Sequence, residues 1–209
     1  KANIPVICLD RSADQGNVAC LVASDNVKGG EMAADYIVKK LGEKVKVAEL
    51  EGIPGASASR DRGEGFHKIA DSKLTVVAKQ TAEFDRSKGL TVAENMLQAN
   101  PDITAIEGSA STDVVGAAQA VDELGLTGKV AVVGTSMTSI ARNYVEKDVI
   151  NTFSVWDPAK AGQAMIELAI DVLDNGEAPD ALNVEGYESL TADGTVLYGN
   201  ARVDVTKDN

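Results

Sequence analysis

The chain has 209 residues, of which 44% are hydrophobic and 25% charged, so it is long enough for one large globular domain or two small ones. Its formal net charge of −12 argues against nucleic acid or an anionic membrane as a partner, because both require a basic surface. No apolar run approaches the roughly 20 residues that cross a bilayer, and no signal peptide is present, as would also hold for a mature exported chain.

Apolar runs rich in Val and Ile recur along the chain, separated by helix-like segments. Such continuous runs are typical of parallel strands that are covered on both faces. The runs predict strands at residues 5–9, 19–23, 45–50, 74–80, 103–107, 130–134 and 150–155.

The segments between the strands have helical spacing. The clearest stripe consists of Ala161, Met165, Leu168 and Val172. Glycines at 42, 125 and 176 are placed where such helices would end. Alternating strands and helices of this length predict an α/β fold with a doubly wound parallel sheet. The tail differs, because residues 182–205 are strand-like and contain a hairpin turn at 192–195.

Polar or aromatic residues follow most of the predicted strands. In doubly wound folds, ligands bind at the carboxyl ends of the strands. Charged groups there, such as a carboxylate or a guanidinium, suit a small ligand with neighbouring hydroxyls. The candidate contacts are Asp10, Arg11, Arg62, Phe84, Ser111, Ser136 and Trp156.

Signals of catalysis are scarce. The sequence has no nucleophile elbow, Walker loop or zinc-protease motif, and it predicts neither a metal nor a cofactor. The single histidine, His67, is expected to be a partly exposed helix residue rather than a catalytic base. Cys8 and Cys20 both lie in apolar runs and are read as buried free thiols, with a disulfide between them as the alternative.

The sequence resembles the ribose-binding proteins, which are receptors of bacterial sugar ABC transporters with the type I periplasmic-binding fold. The resemblance rests on motifs spread through the chain, namely ANIPV to LDR at 2–11, ASDNV with Gly29-Gly30 at 23–30, RDRGEGF at 60–66 and AEFDR with Lys88-Gly89 at 82–89. It implies a periplasmic or extracytoplasmic receptor that binds a carbohydrate and delivers it to a membrane permease. It implies no enzymatic activity.

The resemblance also implies site residues. Asp10, Arg11, Arg62 and Phe84 match positions that contact the sugar in that family. Later positions depart from ribose receptors, since an Asn-Asp pair is replaced around Ala110-Ser111 and an Asp becomes Ser136. Residues from 133 onward resemble receptors for rhamnose or autoinducer-2 instead, and there Trp156 would stack on the sugar. Each of these residues could instead have a purely structural role. Asp10 and Arg11 would then form a surface ion pair, Arg62 would cap a helix, and Phe84 and Trp156 would pack against other side chains.

By the same resemblance, the first strands and helices of the N-terminal lobe are expected to be absent from this sequence. The implied domains are 1–22 as a remnant of that lobe, 23–152 as the C-terminal lobe, 153–186 as a returning segment and 187–209 as hinge and terminal strands. The two lobes would close over the ligand by a hinge motion. The apolar stripe of the helix at 161–173 would then lack partner strands, which predicts self-association, a swap, or further chain outside this sequence.

Two rival functions share the fold. The effector-binding core of a LacI-type transcription regulator would have a basic helix-turn-helix before residue 1. A sensor module attached to a kinase or chemoreceptor, including an autoinducer-2 receptor, would have a membrane helix after residue 209. Neither signal occurs within these 209 residues.

Overall fold

The computed structural model describes residues 4–11, 17–199 and 202–209. In chain order its elements are β1 (Ile7–Leu9), β2 (Cys20–Ala23), α1 (Asn26–Leu41), β3 (Lys46–Glu51), α2 (Ser57–Lys73), β4 (Thr75–Thr81), α3 (Arg86–Ala99), β5 (Ala105–Gly108), α4 (Ser111–Glu123), β6 (Ala131–Gly134), α5 (Thr138–Glu146), β7 (Phe153–Val155), α6 (Pro158–Asn175), β8 (Thr191–Asp193), β9 (Val196–Tyr198) and β10 (Val203–Val205). Each of the seven strands predicted between residues 5 and 155 is present, within its expected range or ending one residue later.

The chain divides into two compact units. Unit 1 contains the described residues of Lys1–Asp25 and Trp156–Val203, and unit 2 contains Asn26–Val155 and Asp204–Asn209. The finer division of the chain at 22, 152 and 186 stays a prediction.

Unit 2 is built on a four-stranded parallel sheet in the order β4-β3-β5-β6. Helices α2, α3 and α4 connect these strands, while α1 precedes β3 and α5 follows β6. Apolar side chains form two clusters that include Ile106 and Phe66. Short β7 pairs with β10, and Thr135 forms a bridge to Ser154. The doubly wound parallel arrangement expected from the sequence is therefore confirmed.

Unit 1 has a smaller sheet in the order β1-β2-β9-β8, in which β8 and β9 form the expected antiparallel hairpin. Its core consists of side chains from β2, β9, α6 and the loop before β8. Helix α6 begins at Pro158 with Asp157 as N-cap, whose Oδ1 accepts from the Ala159 backbone N–H at 2.8 Å. It ends at Gly176, whose φ of 83° places it in the left-handed region.

The expectation that the apolar stripe of α6 lacks a partner is wrong for the residues named. Ala161 and Leu168 are fully buried in unit 1, and Met165 and Val172 pack against the same core. The exposed apolar side chains lie on another face of the helix and are Ile166, Ile170 and Leu173. The spacing of the stripe residues thus predicts the buried face of α6, but it does not predict the exposed apolar face.

The tail is less regular than expected. Residues 182–190 form turns instead of a strand, because Leu182 donates to the Tyr187 carbonyl and Tyr187 donates to the Val184 carbonyl. Such short-range bonds within a loop consume the backbone groups that a strand would present to a neighbour. Among the described residues, no helix is long and apolar enough to cross a membrane.

Candidate functional site

The carboxyl ends of the four parallel strands lie along one edge of the unit 2 sheet. The chain leaves this edge at Gly52 after β3, Ala82 after β4, Ser109 after β5 and Thr135 after β6. Parallel sheets place ligand-binding loops at this edge because every strand there turns into a loop and a helix. Four of the seven predicted contacts, Arg62, Phe84, Ser111 and Ser136, belong to this unit.

Arg62 is held in place by bonds from both sides of its guanidinium group. Its Nε donates to Asn26 Oδ1 at 2.9 Å, and its Nη1 donates to the Ser109 carbonyl at 2.8 Å. Only 9% of the residue is exposed. A charged group fixed in this way is preorganised, since it loses little side-chain freedom when it binds a further partner.

A close contact between α1 and α2 brings Arg62 to Asn26. A Cβ atom on Gly30 of α1 would lie 1.9 Å from the Arg62 carbonyl oxygen, and one on Gly65 of α2 would lie 1.9 Å from the Val27 carbonyl oxygen. Only glycine at both positions permits this separation of the helix axes. The glycines in the Gly29-Gly30 and RDRGEGF stretches therefore position the arginine.

Phe84 lies in a strained turn between β4 and α3. Glu83 and Phe84 both have positive φ, at 56° and 58°, which costs free energy for residues with a side chain. The ring is half-buried and lies over Gly52, where an added Cβ would come within 1.8 Å of Cε1. Asp85 then caps α3 by accepting from the Lys88 backbone N–H at 2.7 Å. The turn thus holds the ring at the carboxyl edge of the sheet.

The two serines lie close together on the same edge. The Ser136 hydroxyl donates to the Ser111 carbonyl at 3.4 Å, and Ser136 is almost fully buried. Ser111 is the first residue of α4 and is half-buried. The structure therefore brings these predicted contacts to the edge that also holds Arg62, although the Ser136 hydroxyl already has an acceptor.

The other predicted contacts belong to unit 1. Asp10 has a left-handed φ of 63°, and its backbone N–H donates to the Val22 carbonyl at 2.8 Å. It is half-buried, and its charge contributes, after burial and Asp157, to a raised pKa of Tyr187. Arg11 is exposed, and Trp156 packs partly against the core of unit 1.

Three buried carboxyl groups in unit 2 were not singled out from the sequence. Glu49 and Asp113 are 0% exposed and Glu107 is 2% exposed. Burial, together with the charges of Glu49 and Asp113, raises the pKa of Glu107 well above its ordinary value. Burial raises the pKa of Asp113 to about 7. The signal was present in the sequence, since an acidic residue inside an otherwise apolar run must be paired, protonated or functional.

His67 lies at the outer end of this acidic group. Its Nε2 is 2.8 Å from Glu49 Oε2 and its Nδ1 is 2.6 Å from Asp71 Oδ1. Burial alone would lower the pKa of His67, but the hydrogen bond with Asp71 and the charge of Glu49 raise it. The histidine is a half-buried residue of α2, as expected, and its two nitrogens are occupied by carboxylates.

Cys8 and Cys20 are both free thiols, as predicted, and the alternative of a disulfide between them is wrong. Cys20 is buried and Cys8 half-buried. Among residues 4–11, 17–199 and 202–209, no group of three or more acidic, histidine or cysteine side chains is arranged to hold a metal ion.

Known proteins resemble this chain closely. A family model described as periplasmic binding protein domain matches residues 1–178. The ribose import binding protein RbsB of Bacillus subtilis (strain 168) is 49% identical over 170 residues, which are 81% of this chain and 55% of that protein. RbsB of Escherichia coli (strain K12) is 44% identical over 174 residues, which are 83% of this chain and 58% of that protein. The chain thus spans little more than half the length of these relatives.

A solved structure extends the similarity to nearly the whole chain. It is a periplasmic solute binding protein of an ABC transporter from Actinobacillus succinogenes 130z with bound D-allose. It superposes with a TM-score of 0.82 at 30% identity, and the match covers 99% of this chain and 71% of that one.

Proposed function

Because this chain belongs to the family of periplasmic binding protein domains, we propose that it is part of an extracytoplasmic receptor that binds a monosaccharide or related polyol and delivers it to the permease of an ABC transporter. Such a receptor binds its ligand and releases it unchanged. The proposal extends to this chain what the names of its relatives say of them, and it is supported by the residues at the edge of the unit 2 sheet.

The proposal is supported above all by the fixed guanidinium of Arg62, which lies at the same edge of the unit 2 sheet as the ring of Phe84. A planar, always-charged donor suits the paired oxygens of neighbouring hydroxyls, and charge-assisted hydrogen bonds are stronger than neutral ones. An aromatic ring suits the apolar face of a sugar. Asp10, Arg11 and Trp156 stay predicted contacts of the same ligand.

Two findings make opposite predictions about which sugar is preferred. The two ribose import binding proteins named above are 44% and 49% identical to this chain, which favours D-ribose. Ser136 stands where the resemblance implies an Asp, and Ala110-Ser111 where it implies an Asn-Asp pair, which favours a ligand with fewer polar groups on that side, such as rhamnose or autoinducer-2. D-Allose is the sugar bound in the superposed structure, so it is a third candidate to compare with D-ribose and rhamnose.

A ligand panel tests the proposal. We expect D-ribose, D-allose, L-rhamnose or autoinducer-2 to raise the melting temperature of the chain and to bind in calorimetry, since a ligand that binds only the folded state stabilises it. Arg62→Ala should weaken that binding about tenfold to a hundredfold, because hydrogen bonds to a charged group contribute about 1.5–3 kcal/mol.

The matched control is Arg60→Ala, in the same helix. Arg60 is exposed, and its guanidinium donates to Asp61 at 2.8 Å and 3.0 Å, so its loss should leave affinity unchanged. If Arg60→Ala and Arg62→Ala weakened binding equally, Arg62 would have no special role. If no compound in the panel bound, the sugar-receptor proposal would fail.

A further inference from the structure

His67 joins helix α2 to a buried acid of strand β3. Its Nε2 lies 2.8 Å from Oε2 of Glu49, which is 0% exposed. Its Nδ1 lies 2.6 Å from Oδ1 of Asp71, one turn further along α2. A neutral imidazole has one N–H group and one lone pair, so it can donate to only one of these carboxylates. A protonated imidazole donates to both, and the geometry therefore suits the charged form of His67.

Lys79 gives the same ring nitrogen a second partner. This lysine belongs to β4, the edge strand of the sheet, and its Nζ lies 3.2 Å from His67 Nε2. The Nζ also lies 3.3 Å from Glu49 Oε2 and 3.1 Å from Glu51 Oε1. An ammonium group only donates, so it can bond to Nε2 only when that nitrogen carries no proton. The Nε2 atom therefore donates to Glu49 when it is protonated and accepts from Lys79 when it is not.

Glu49 needs these cations because it is fully buried. Its Oε1 makes no hydrogen bond to a described residue, so its contacts with His67 and Lys79 are both made through Oε2. Lys79 divides its charge between Glu49 and Glu51. Glu107 of β5, in register with Glu49, places a second buried acid on this face of the sheet. A buried carboxylate without full compensation is costly, so a proton on His67 strengthens the attachment of α2 to β3.

We propose that His67 is a proton-dependent clamp, which ties α2 to Glu49 when the imidazole is charged and bonds to Lys79 instead when the imidazole is neutral. His67 and Lys79 both line a surface cavity, so protons from solvent reach the ring. The clamp lies five residues after Arg62 in the same helix, and α2 is therefore held more firmly in mildly acidic solution. This device is a property of the fold and does not depend on which ligand the chain binds.

The groups around the ring fix the sign of the pH dependence. The charged side chains come from three elements, namely Glu49 and Glu51 of β3, Lys79 of β4, and Arg60, Glu64 and Asp71 of α2. Burial and the charge of Lys79 lower the pKa of His67, but the hydrogen bond with Asp71 and the charge of Glu49 outweigh them and raise it above 6.5. The stabilisation from His67 is therefore complete below about pH 6.5 and is lost as pH rises through the folded pKa.

The first test follows both ring nitrogens by ¹H–¹⁵N NMR across the pH range in which His67 titrates. His67 is the single histidine of the chain, so its ring signals are identified without variants. We expect a midpoint above pH 6.5 and, in the neutral form, a proton on Nδ1 that leaves Nε2 to accept from Lys79. Lys79→Met should move that proton to Nε2, which then donates to Glu49. A wild-type neutral form protonated on Nε2 would overturn the exchange of partners.

Two further variants separate the contacts of the ring from the general charge of the surface. Lys73→Met removes another lysine, at the end of α2, whose Nζ pairs with Glu43 at 3.2 Å, and should leave the midpoint and the tautomer unchanged. Asp71→Asn removes an exposed partner of the ring and should lower the midpoint. Equal effects of Lys73→Met and Lys79→Met would mean that only net charge matters, which contradicts the clamp.

The second test measures the effect of the clamp on stability. His67→Gln removes the titrating group, and it should lower the urea midpoint of the chain more in mildly acidic than in mildly alkaline solution. Other titrating groups are present in both chains, so their effects largely cancel in the comparison with the wild-type chain. Lowering of the midpoint by the same amount at both pH values would show that His67 only fills space, and the proposal would then fail.

Discussion

Two glutamates of adjacent strands are buried side by side in unit 2. Glu49 of β3 and Glu107 of β5 are in register, and residues in register on neighbouring strands point to the same face of a sheet. Glu49 also faces Lys79 of β4, whose Nζ lies 3.3 Å from Glu49 Oε2. Lys79 and His67 both contact Glu49 Oε2, and one oxygen of each glutamate, Oε1 of Glu49 and Oε2 of Glu107, is buried without a hydrogen bond to a described residue. Burial, with the charges of Glu49 and Asp113, raises the pKa of Glu107 well above its ordinary value.

This arrangement predicts a pH-dependent stability that Glu107→Gln removes. The pKa of Glu107 is raised in the folded state above its ordinary value of 4.5, so the folded chain keeps a proton that the unfolded chain releases. Stability from this residue is complete below about pH 4.5 and falls as pH rises towards the folded pKa. Glu107→Gln should thus gain stability relative to the wild-type chain between pH 5 and pH 8, by up to about 1.4 kcal/mol per pH unit. Urea unfolding at both pH values measures the difference.

The control for this prediction is Glu123→Gln, an exposed glutamate that accepts from Gln119 one turn away in α4. The difference in free energy of unfolding between Glu123→Gln and the wild-type chain should be the same at pH 5 and pH 8. A Glu107→Gln variant that tracked the wild-type chain from pH 5 to pH 8 would show that Glu107 is ionised in the folded protein.

At the scale of residues, the sequence could locate Arg62 but not its partners. The arginine was recognisable from its motif and from its place after a strand. Asn26 and the Ser109 carbonyl are 36 and 47 positions away, and their contact with Arg62 depends on how α1 and β5 pack. The buried acids were visible as residues but not as a group, because their proximity depends on strand register.

At the scale of elements, the contact between α1 and α2 depends on Gly30, which predicts a large effect of a single methyl group. Gly30→Ala would place Cβ 1.9 Å from the Arg62 carbonyl oxygen, so the helices must separate. Overpacking of this kind costs about 1–3 kcal/mol. The substitution should also disturb the hydrogen bond between Arg62 and Asn26. Thermal and urea unfolding measure the loss of stability, and the ¹⁵N NMR signal of the Arg62 Nε–Hε group reports the change in its hydrogen bond to Asn26.

A second helical glycine provides the matched control. Gly162 in α6 has nothing within 4 Å of an added Cβ, so Gly162→Ala should stabilise the chain by about 0.5–1 kcal/mol through helix propensity. If Gly30→Ala lowers the free energy of unfolding and Gly162→Ala raises it, the difference is due to the close packing at Gly30. Equal effects of the two substitutions would remove the helix contact as the reason for glycine at position 30.

The elements themselves were predictable because their patterns are strong. Parallel strands covered on both faces favour continuous apolar runs, and residues 130–134 form such a run. The tail was harder, since residues 182–190 alternate like a strand while their backbone groups are satisfied by local turns around Tyr187. The amino-acid composition does not show whether these backbone groups bond within local turns or to a neighbouring strand, because that depends on contacts in the folded chain.

At the scale of the whole molecule, the two units have separate hydrophobic cores. The core of unit 1 draws on α6, β2 and β9 and includes Leu168 and Tyr187. The two clusters of unit 2 include Ile106 and Phe66 and contain no residue of unit 1. The unit 2 cores contain more buried side chains, so unit 2 is expected to be the more stable of the two.

Separate cores predict two unfolding transitions in calorimetry. Leu168→Ala removes a fully buried side chain from unit 1 and should lower only the first transition, at a cost of about 2–5 kcal/mol. Ile106→Ala makes a comparable cavity in unit 2 and should lower only the second. Each variant serves as the control for the other, because both lose a fully buried aliphatic side chain of similar size. A single transition that both variants lowered equally would mean that the chain unfolds as one cooperative unit, and the separation of the cores would then have no thermodynamic consequence.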